Sequence, residues 1–361
     1  MKPYLPLKLP IQKMDWVKFI QLIGRANAEV ARFDGLLQSM PNPAVLLSPL
    51  TTQEAVLSSK IEGTKATLQD VLKYEANPKE KTEKYHDIQE ILNYRKAMVY
   101  ALKELKNISF TNRLIRGIHS ILLDGVRGQG RDRGNFRKMQ VHIGKSVDIK
   151  KATYIPPIPQ DVPKLMSNLE KYIHADDKDF LVQLAIVHAQ FEIIHPFWDG
   201  NGRVGRIIMP IFLYFKKVLS SPMFYLSAYF ETNREAYYQK LLLISQDNDW
   251  EGWVIYFLNA VIIQSKENIN KAKSIHKLYD IKKDKIAETT RSRYAIKTLD
   301  FLFCNPIFTS SQFVSMSRIP KTSAWRLLRL LEQFSIIKII HKGAGTKPST
   351  YVFTKLLKIV G

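Results

Sequence analysis

A segment of twelve residues combines a possible general base with an anion-binding turn. It reads His195-Pro196-Phe197-Trp198-Asp199-Gly200-Asn201-Gly202-Arg203-Val204-Gly205-Arg206. The imidazole of His195 has an unperturbed pKa of about 6.5 and can accept a proton from an attacking hydroxyl. The carboxylate of Asp199 suits a Mg²⁺ ion held between phosphates. Because Arg203 and Arg206 are three positions apart on a predicted helix, they can share a polyphosphate.

Two helices must hold this turn. Residues 178–194 show helical periodicity, with one apolar stripe made of Phe180, Leu184, Val187 and Phe191. Pro196 prevents that helix from continuing, and the periodicity restarts at Arg203. Unpaired N–H groups at the start of the second helix, with the positive end of its dipole, favour phosphate oxygens. The elements therefore predict a phosphate site beside a base.

Each of these residues also has a purely structural explanation. His195 could be a buried core histidine, 199–202 an ordinary turn, and the two arginines a solvated face. Eight specified residues at fixed spacing, however, coincide by chance on the order of 10⁻⁸ in a chain of this length. We therefore interpret the segment as a functional site.

The segment resembles the core motif of Fic domain proteins, HxFx(D/E)GNGRxxR, at every specified position. This resemblance implies transfer of AMP from ATP to a hydroxyl of a protein side chain, with release of pyrophosphate. It implies His195 as the general base, Asp199 as the Mg²⁺ ligand and Phe197 as an anchor in the core. The other implied roles are an anion hole from Gly200, Asn201 and Gly202, and a grip on the distal phosphates from Arg203 and Arg206.

A second motif, Ser58-Ser59-Lys60-Ile61-Glu62-Gly63, resembles the (S/T)xxxE(G/N) helix that restrains many Fic proteins. Ser58 and Glu62 are one helical turn apart and share a face. The resemblance implies that Glu62 pairs with Arg206 in the place of the γ-phosphate, so that ATP binds unproductively. A solvated helix end is the structural alternative, and a reverse role of Glu62 in removing AMP stays open.

Two further features resemble the family less specifically. Tyr237 and Tyr238 match a tyrosine pair that lines an adenine pocket, although aromatic core packing would also explain them. A glycine-rich loop with Gly128 and Gly130 precedes residues 140–154, which match the β-hairpin flap that pairs with the backbone of a target.

The predicted fold is mainly α, with a Fic-type helical bundle, a β-hairpin flap and a small winged helix-turn-helix domain. The predicted regions are an N-terminal helical region 1–110 with the inhibitory helix at about 51–63, a catalytic core 111–270, a linker or helix 271–285, and a winged-helix domain 286–361. Thr51 and Glu54 have the spacing of a capping box that would start the inhibitory helix, and Gly63 would end it.

The C-terminal region is strongly basic. Its last 80 residues contain 15 Lys and Arg against 4 Asp and Glu. The predicted recognition helix is capped by Thr322 and precedes two strands at 336–341 and 350–353. A polar face with Lys321, Ser323, Arg326 and Arg329 predicts possible DNA binding through residues 286–361, and a protein-contact or dimerisation module is the alternative.

Composition limits the other classes of protein. The formal net charge of +21 favours anionic partners. The single cysteine, Cys304, excludes an internal disulfide, and no run of residues is apolar enough to span a bilayer. We expect a cytoplasmic enzyme that uses ATP and Mg²⁺ on a protein with a Ser, Thr or Tyr hydroxyl, with the chain itself as one candidate target. Transfer of another nucleotide, a DNA-binding regulator and a homodimer stay open.

Overall fold

The computed structural model describes residues 2–78, 82–126, 132–144, 148–345 and 347–361, and most of them are helical. The helices are α1 (Ile20–Ser39), α2 (Pro43–Leu46), α3 (Ser48–Ile61), α4 (Leu68–Ala76), α5 (Tyr85–Glu104), α6 (Asn112–Leu122), α7 (Val162–His174), α8 (Phe180–Ile194), α9 (Asn201–Phe215), α10 (Ser227–Thr232), α11 (Arg234–Asp247), α12 (Trp250–Thr290), α13 (Ala295–Cys304), α14 (Ser310–Met316), α15 (Lys321–Gln333) and α16 (Thr354–Val360). The strands are β1 (Ile307–Thr309), β2 (Lys338–His341) and β3 (Thr350–Val352). The prediction of a mainly helical fold is confirmed.

Helix α8 lies at the centre of the bundle because it is apolar on almost every face. Asp179 caps its first turn by accepting hydrogen bonds from the N–H groups of Leu181 and Val182, both at 2.9 Å. The buried indole of Trp253 on α12 donates to the carbonyl of Ala185 at 2.8 Å. These contacts hold the first turns of α8, and the candidate base follows the other end of this helix.

Helix α12 continues without a break for 41 residues. The stretch 271–285, predicted as a linker or helix, is therefore the second half of one long helix. Although this stretch is rich in lysine, Ala272, Ile275, Tyr279 and Ile286 are buried at helical spacing. The same helix contacts α1 and α8 in the core and α13, α15 and α16 near the C-terminus.

Helix α3 begins at Ser48, with Pro49 in its first turn, so Thr51 and Glu54 lie inside the helix. Their predicted capping box is wrong. The hydroxyl of Thr51 instead forms a hydrogen bond with that of Tyr225 at 2.8 Å. The buried carboxylate of Glu54 accepts a hydrogen bond from the hydroxyl of Ser227 at 2.5 Å. The prediction that Gly63 follows the helix end agrees with its φ of 100°, which favours glycine.

The C-terminal unit has the element order α13, β1, α14, α15, β2, β3 and α16, and its antiparallel sheet has the strand order β1-β3-β2. Strand β1 and helix α16 were not predicted. Thr322 is not a cap, because α15 starts at Lys321 after Pro320. The unit packs on the N-terminal helices, and the Gln312 amide donates to the carbonyl of Glu75 at 2.6 Å.

The predicted flap is shorter than expected among the described residues. Its pairing consists of one antiparallel bridge between Ile143 and Tyr154, with Ile143 N–H donating to the Tyr154 carbonyl at 2.8 Å. Gly128 and Gly130, and residues 145–147 of the predicted flap, lie outside the described residues. No helix within the described ranges is both long and apolar enough to cross a bilayer.

Candidate active site

Two residues of the loop between α8 and α9 have a left-handed backbone conformation. His195 ends α8 with φ of 50°, and Gly200 precedes α9 with φ of 77°. Helix α9 starts at Asn201, two residues before the predicted Arg203. The Asn201 side chain closes the loop by accepting from Phe197 N–H and donating to Phe197 C=O, both at 2.9 Å. The loop is therefore held by its own polar residues.

A buried histidine supports the loop from α6. The ring of His119 stacks on Phe197 with centroids 3.8 Å apart. Its Nδ1 accepts from Gly134 N–H at 2.9 Å, so Nε2 carries the proton and donates to the Asp199 carbonyl at 3.0 Å. Burial lowers the pKa of His119 to about 4, which keeps the ring neutral. Phe197 is fully buried, as an anchor would be.

Arg137 holds the other side of the loop. Its Nε donates to the His195 carbonyl at 2.9 Å, and its Nη2 donates to the Pro157 carbonyl at 2.5 Å. Its backbone N–H donates to the Pro196 carbonyl at 2.9 Å. Neither Arg137 nor His119 could be predicted from the sequence, because no local spacing links them to residue 195.

The imidazole of His195 is arranged to accept a proton. Its Nδ1 lies 3.3 Å from the carbonyl oxygen of Glu192, which can only accept, so Nδ1 carries the ring proton. The lone pair is then on Nε2. Burial lowers the pKa of His195 to about 4, so the ring is neutral at physiological pH. A neutral ring with a free Nε2 is the form that a general base needs.

The start of α9 offers unused main-chain donors. The first helical hydrogen bond runs from Val204 N–H to the Gly200 carbonyl, which leaves the N–H groups of Asn201, Gly202 and Arg203 without a partner inside the helix. Gly200 N–H donates to Asp199 Oδ1 at 2.6 Å. The free donors are the groups that a phosphate oxygen would contact.

Asp199 is the one carboxylate of the loop, and its side chain is 40% exposed. The described part of the chain contains no group of three or more His, Cys, Asp or Glu side chains placed to hold a metal. A Mg²⁺ ion needs six oxygens and commonly takes one or two carboxylates together with phosphates and water. The exposed carboxylate of Asp199 fits that partial role.

The two arginines of the motif form their shortest ion pairs with different carboxylates. Arg203 donates to the Glu90 carboxylate on α5 at 2.7 Å. Arg206, fully buried, donates through Nε to the hydroxyl of Ser58 at 2.8 Å and through Nη2 to the carboxylate of Glu62 at 2.6 Å. The sequence does not predict the contact with Glu90, because this residue lies 113 positions from Arg203.

Glu62 covers the start of α9. A Cβ atom built on Gly202 would lie 2.2 Å from Glu62 Oε1 and 2.9 Å from Arg206 Nη1. A side chain at position 202 would therefore displace this carboxylate from its present position. Burial raises the pKa of Glu62, but attraction to Arg206 and Arg203 outweighs burial and lowers it below the usual value. An anionic group therefore lies against Gly202, at one side of the predicted anion hole.

A second carboxyl group, not predicted from the sequence, lies behind the loop. Oε1 of Glu192 is buried without a hydrogen-bond partner among the described residues, and it would be 2.2 Å from a Cβ atom at Gly205. Burial raises the pKa of Glu192 to about 8, although Arg206 opposes the shift. The local signal was Gly205, which makes space for this carboxyl group.

The tyrosine pair divides between the core and the surface. Tyr237 is buried, and its hydroxyl lies 2.9 Å from Nε2 of His188. Its ring stacks on Phe230 at 4.5 Å. Tyr238 is 42% exposed, and Glu62 contributes to raising its pKa to about 12, after burial. Only Tyr238 offers exposed ring surface beside the site.

Family models match most of the helical core. The model described as Fic/DOC family N-terminal matches residues 20–103, and the model described as Fic/DOC family matches residues 109–213. The chain is 36% identical over 129 residues to a protein adenylyltransferase Fic of Culex quinquefasciatus, covering 33% of this chain and 23% of that protein. It is 31% identical over 169 residues to a probable protein adenylyltransferase of Aquifex aeolicus, covering 45% of this chain and 48% of that protein.

The chain thus spans about a quarter to a half of the length of these relatives. The crystal structure of a Fic family protein from Desulfovibrio desulfuricans G20 shares the fold, with a TM-score of 0.61 at 20% identity over 97% of this chain and 98% of that one. Both family models together span the helices that carry residues 58–62 and 195–206. The chain belongs to the Fic/DOC family.

Proposed function

We propose that the chain is a protein adenylyltransferase, which transfers AMP from ATP to a side-chain hydroxyl of a protein target and is restrained by Glu62. The observation that carries this proposal is a neutral imidazole, whose Nε2 has no partner among the described residues, beside a nest of main-chain donors, the N–H groups of Asn201, Gly202 and Arg203, with the Glu62 carboxylate lying against Gly202. The relatives described as protein adenylyltransferases support the reaction class.

The reaction follows from the groups in the loop. The target hydroxyl gives its proton to Nε2 of His195, and its oxygen forms a bond to the α-phosphorus of ATP. The bond from that phosphorus to the bridging oxygen breaks, and pyrophosphate leaves with the electron pair. The N–H groups of Asn201, Gly202 and Arg203 stabilise negative charge on the phosphate oxygens. Asp199 would hold Mg²⁺, which would neutralise charge on the leaving phosphates.

Restraint by Glu62 follows from competition for one guanidinium group. Arg206 can bind the distal phosphates only after it loses the 2.6 Å contact to Glu62. The carboxylate also fills the space above Gly202. A nucleotide that enters beside Glu62 would be held in an unproductive position, because orientation of the leaving group depends on Arg206.

DNA binding by the C-terminal unit is the less favoured alternative. Arg326, on the proposed recognition helix, donates to the carbonyl of Thr290 at 3.1 Å, so its guanidinium group is already engaged at the end of α12. Removal of AMP and transfer of another nucleotide would use the same loop. The relatives support AMP transfer, and we therefore keep that assignment.

Labelled nucleotides test the proposal. Parent protein and Glu62→Gly are incubated with Mg-ATP carrying a label on either the α- or the γ-phosphate, and the label retained on protein is measured. AMP transfer predicts retention of the α label alone, an intact-mass increase of one AMP, and loss of both with His195→Ala. Excess GTP, CTP or UTP should compete less well than ATP. Retention of the γ label, or no label on any protein in a lysate, would contradict the assignment.

A further inference from the structure

A large cavity lies between the inhibitory helix and the C-terminal unit. Its volume is about 1710 Å³. One wall is formed by α3 and α4, and the opposite wall by one face of the three-stranded sheet together with α16. Two rows of paired residues, Ile307–Val352–Lys338 and Thr309–Thr350–His341, run across that sheet, with an irregularity in β2 between Ile339 and His341, and all six residues line the cavity.

The cavity is strongly positive. No aspartate or glutamate occurs among the described residues that line it. Six lysines line it, namely Lys60, Lys65, Lys73, Lys338, Lys347 and Lys358. Lys60 pairs with Glu231 at 2.8 Å, whereas the other five have no ion-pair partner in the described ranges. The lysine charges around one cavity add to a single positive potential, which would attract an anionic ligand.

The lining does not resemble a nucleic-acid site. His341 is the sole aromatic ring on the described walls, so no platform exists on which bases could stack. Among the described residues the walls also contain no arginine, the residue best suited to bidentate phosphate contacts. The volume also exceeds the several hundred to about 1,000 Å³ of typical small-molecule pockets.

The remaining features favour a polypeptide. Strand β2 is an edge strand of the sheet, and all four of its residues line the cavity. An extended segment can pair with such an edge through main-chain hydrogen bonds. Apolar side chains stand between the lysines, including Val56, Leu57 and Leu357. A segment with alternating acidic and apolar side chains would match both the charge and the apolar surface.

The cavity also contacts the helix that carries Glu62. Gln53, Val56, Leu57 and Lys60 form one stripe of α3 that faces the cavity. Ser58, on another face of the same helix, contacts Arg206. A segment in the cavity would therefore lie against the far side of the inhibitory helix.

We propose that this cavity is a docking site for an acidic, extended segment of a partner protein. The lysines attract its carboxylates, strand β2 pairs with its backbone, and the apolar wall receives its alternate side chains. The proposal concerns binding alone, so it does not depend on AMP transfer.

Fluorescence anisotropy with the full chain and no nucleotide tests it. The probe is a labelled ten-residue peptide in which Glu alternates with Val, compared with the same peptide carrying Gln in place of Glu. We expect the Glu peptide to bind at least tenfold more tightly than the Gln peptide, and more weakly as salt is raised. The double variant Lys338→Glu/Lys358→Glu should lose at least tenfold in affinity.

A matched control reverses two exposed lysines at the end of α5, Lys103→Glu/Lys106→Glu, which changes the net charge equally. This variant should keep the affinity within about twofold, allowing for long-range charge effects. Circular dichroism melting checks that both variants fold. Equal losses in the two variants, equal binding of the Glu and Gln peptides, or tighter binding of a single-stranded or duplex oligonucleotide than of the Glu peptide would overturn the proposal.

Discussion

Replacing Glu62 by glycine should raise the rate of AMP transfer, because it removes the proposed restraint on Arg206. The contact removed is one charge-assisted hydrogen bond of 2.6 Å between Glu62 and a fully buried guanidinium group. Such bonds are worth about 1.5–3 kcal/mol. If this contact sets the energetic cost of freeing Arg206 for phosphate, its loss corresponds to a rate gain of roughly 10- to 150-fold at saturating ATP. Glu62→Gln, which keeps a neutral hydrogen bond, should give a smaller gain.

The assay is the initial rate of α-label transfer, measured with saturating Mg-ATP. Glu231→Gln is the matched control, because it removes a carboxylate that pairs with Lys60 on the same helix at 2.8 Å but does not contact Arg206. That partly exposed pair should matter little, and the rate should stay within about twofold of the parent. If Glu62→Gly binds ATP and is no faster than Glu231→Gln, the contact with Arg206 is not the restraint.

Three further predictions concern the nest, the base and a buried lysine. In the Glu62→Gly background, Gly202→Ala should lower transfer by about 10²-fold, since its methyl group would enter the nest, and an unchanged rate would count against that placement. In the same background, kcat/KM should stay constant as the pH is lowered through 6.5, because His195 has a pKa of about 4 and becomes protonated only near pH 4. A fall in kcat/KM centred at pH 6.5 would refute the assigned burial of His195. Lys282 is buried, and burial, followed by Lys355 and Lys285, lowers its pKa from 10.5 to about 8. The folded state therefore disfavours the charged form of Lys282, and Lys282→Met should raise the free energy of unfolding at pH 7 by about 1–3 kcal/mol. Melting experiments should show that this gain declines from pH 8 and disappears above about pH 10.5.

The sequence predicted the parts of the site that are local. Residues 195–206 carry their own turn, because Pro196 and Gly200 end one helix and permit the next. Helical periodicity in residues 178–194 predicted α8 close to its observed bounds, Phe180–Ile194. Ser58 and Glu62, one turn apart, could be expected to face the same way, and both contact Arg206.

What the sequence could not predict depends on contacts between distant residues. Glu90 and Arg137 reach the loop across 113 and 58 positions, and periodicity carries no record of such pairs. Glu54 has the spacing of a cap, but its carboxylate instead accepts a hydrogen bond from Ser227, 173 positions away in the buried core. Strand β1, with three residues, is too short to show an alternating pattern.

The length of α12 has a consequence for how the molecule can be divided. Its 41 residues, at about 1.5 Å each, form a single rod of about 60 Å. A truncation within 271–285 would sever that rod and strip the partners from Ile275 and Ile286, so the resulting fragments should precipitate or melt at low temperature. The same rod links the C-terminal unit to the core, because its Trp253 indole donates to the carbonyl of Ala185 on α8, the helix that ends at His195.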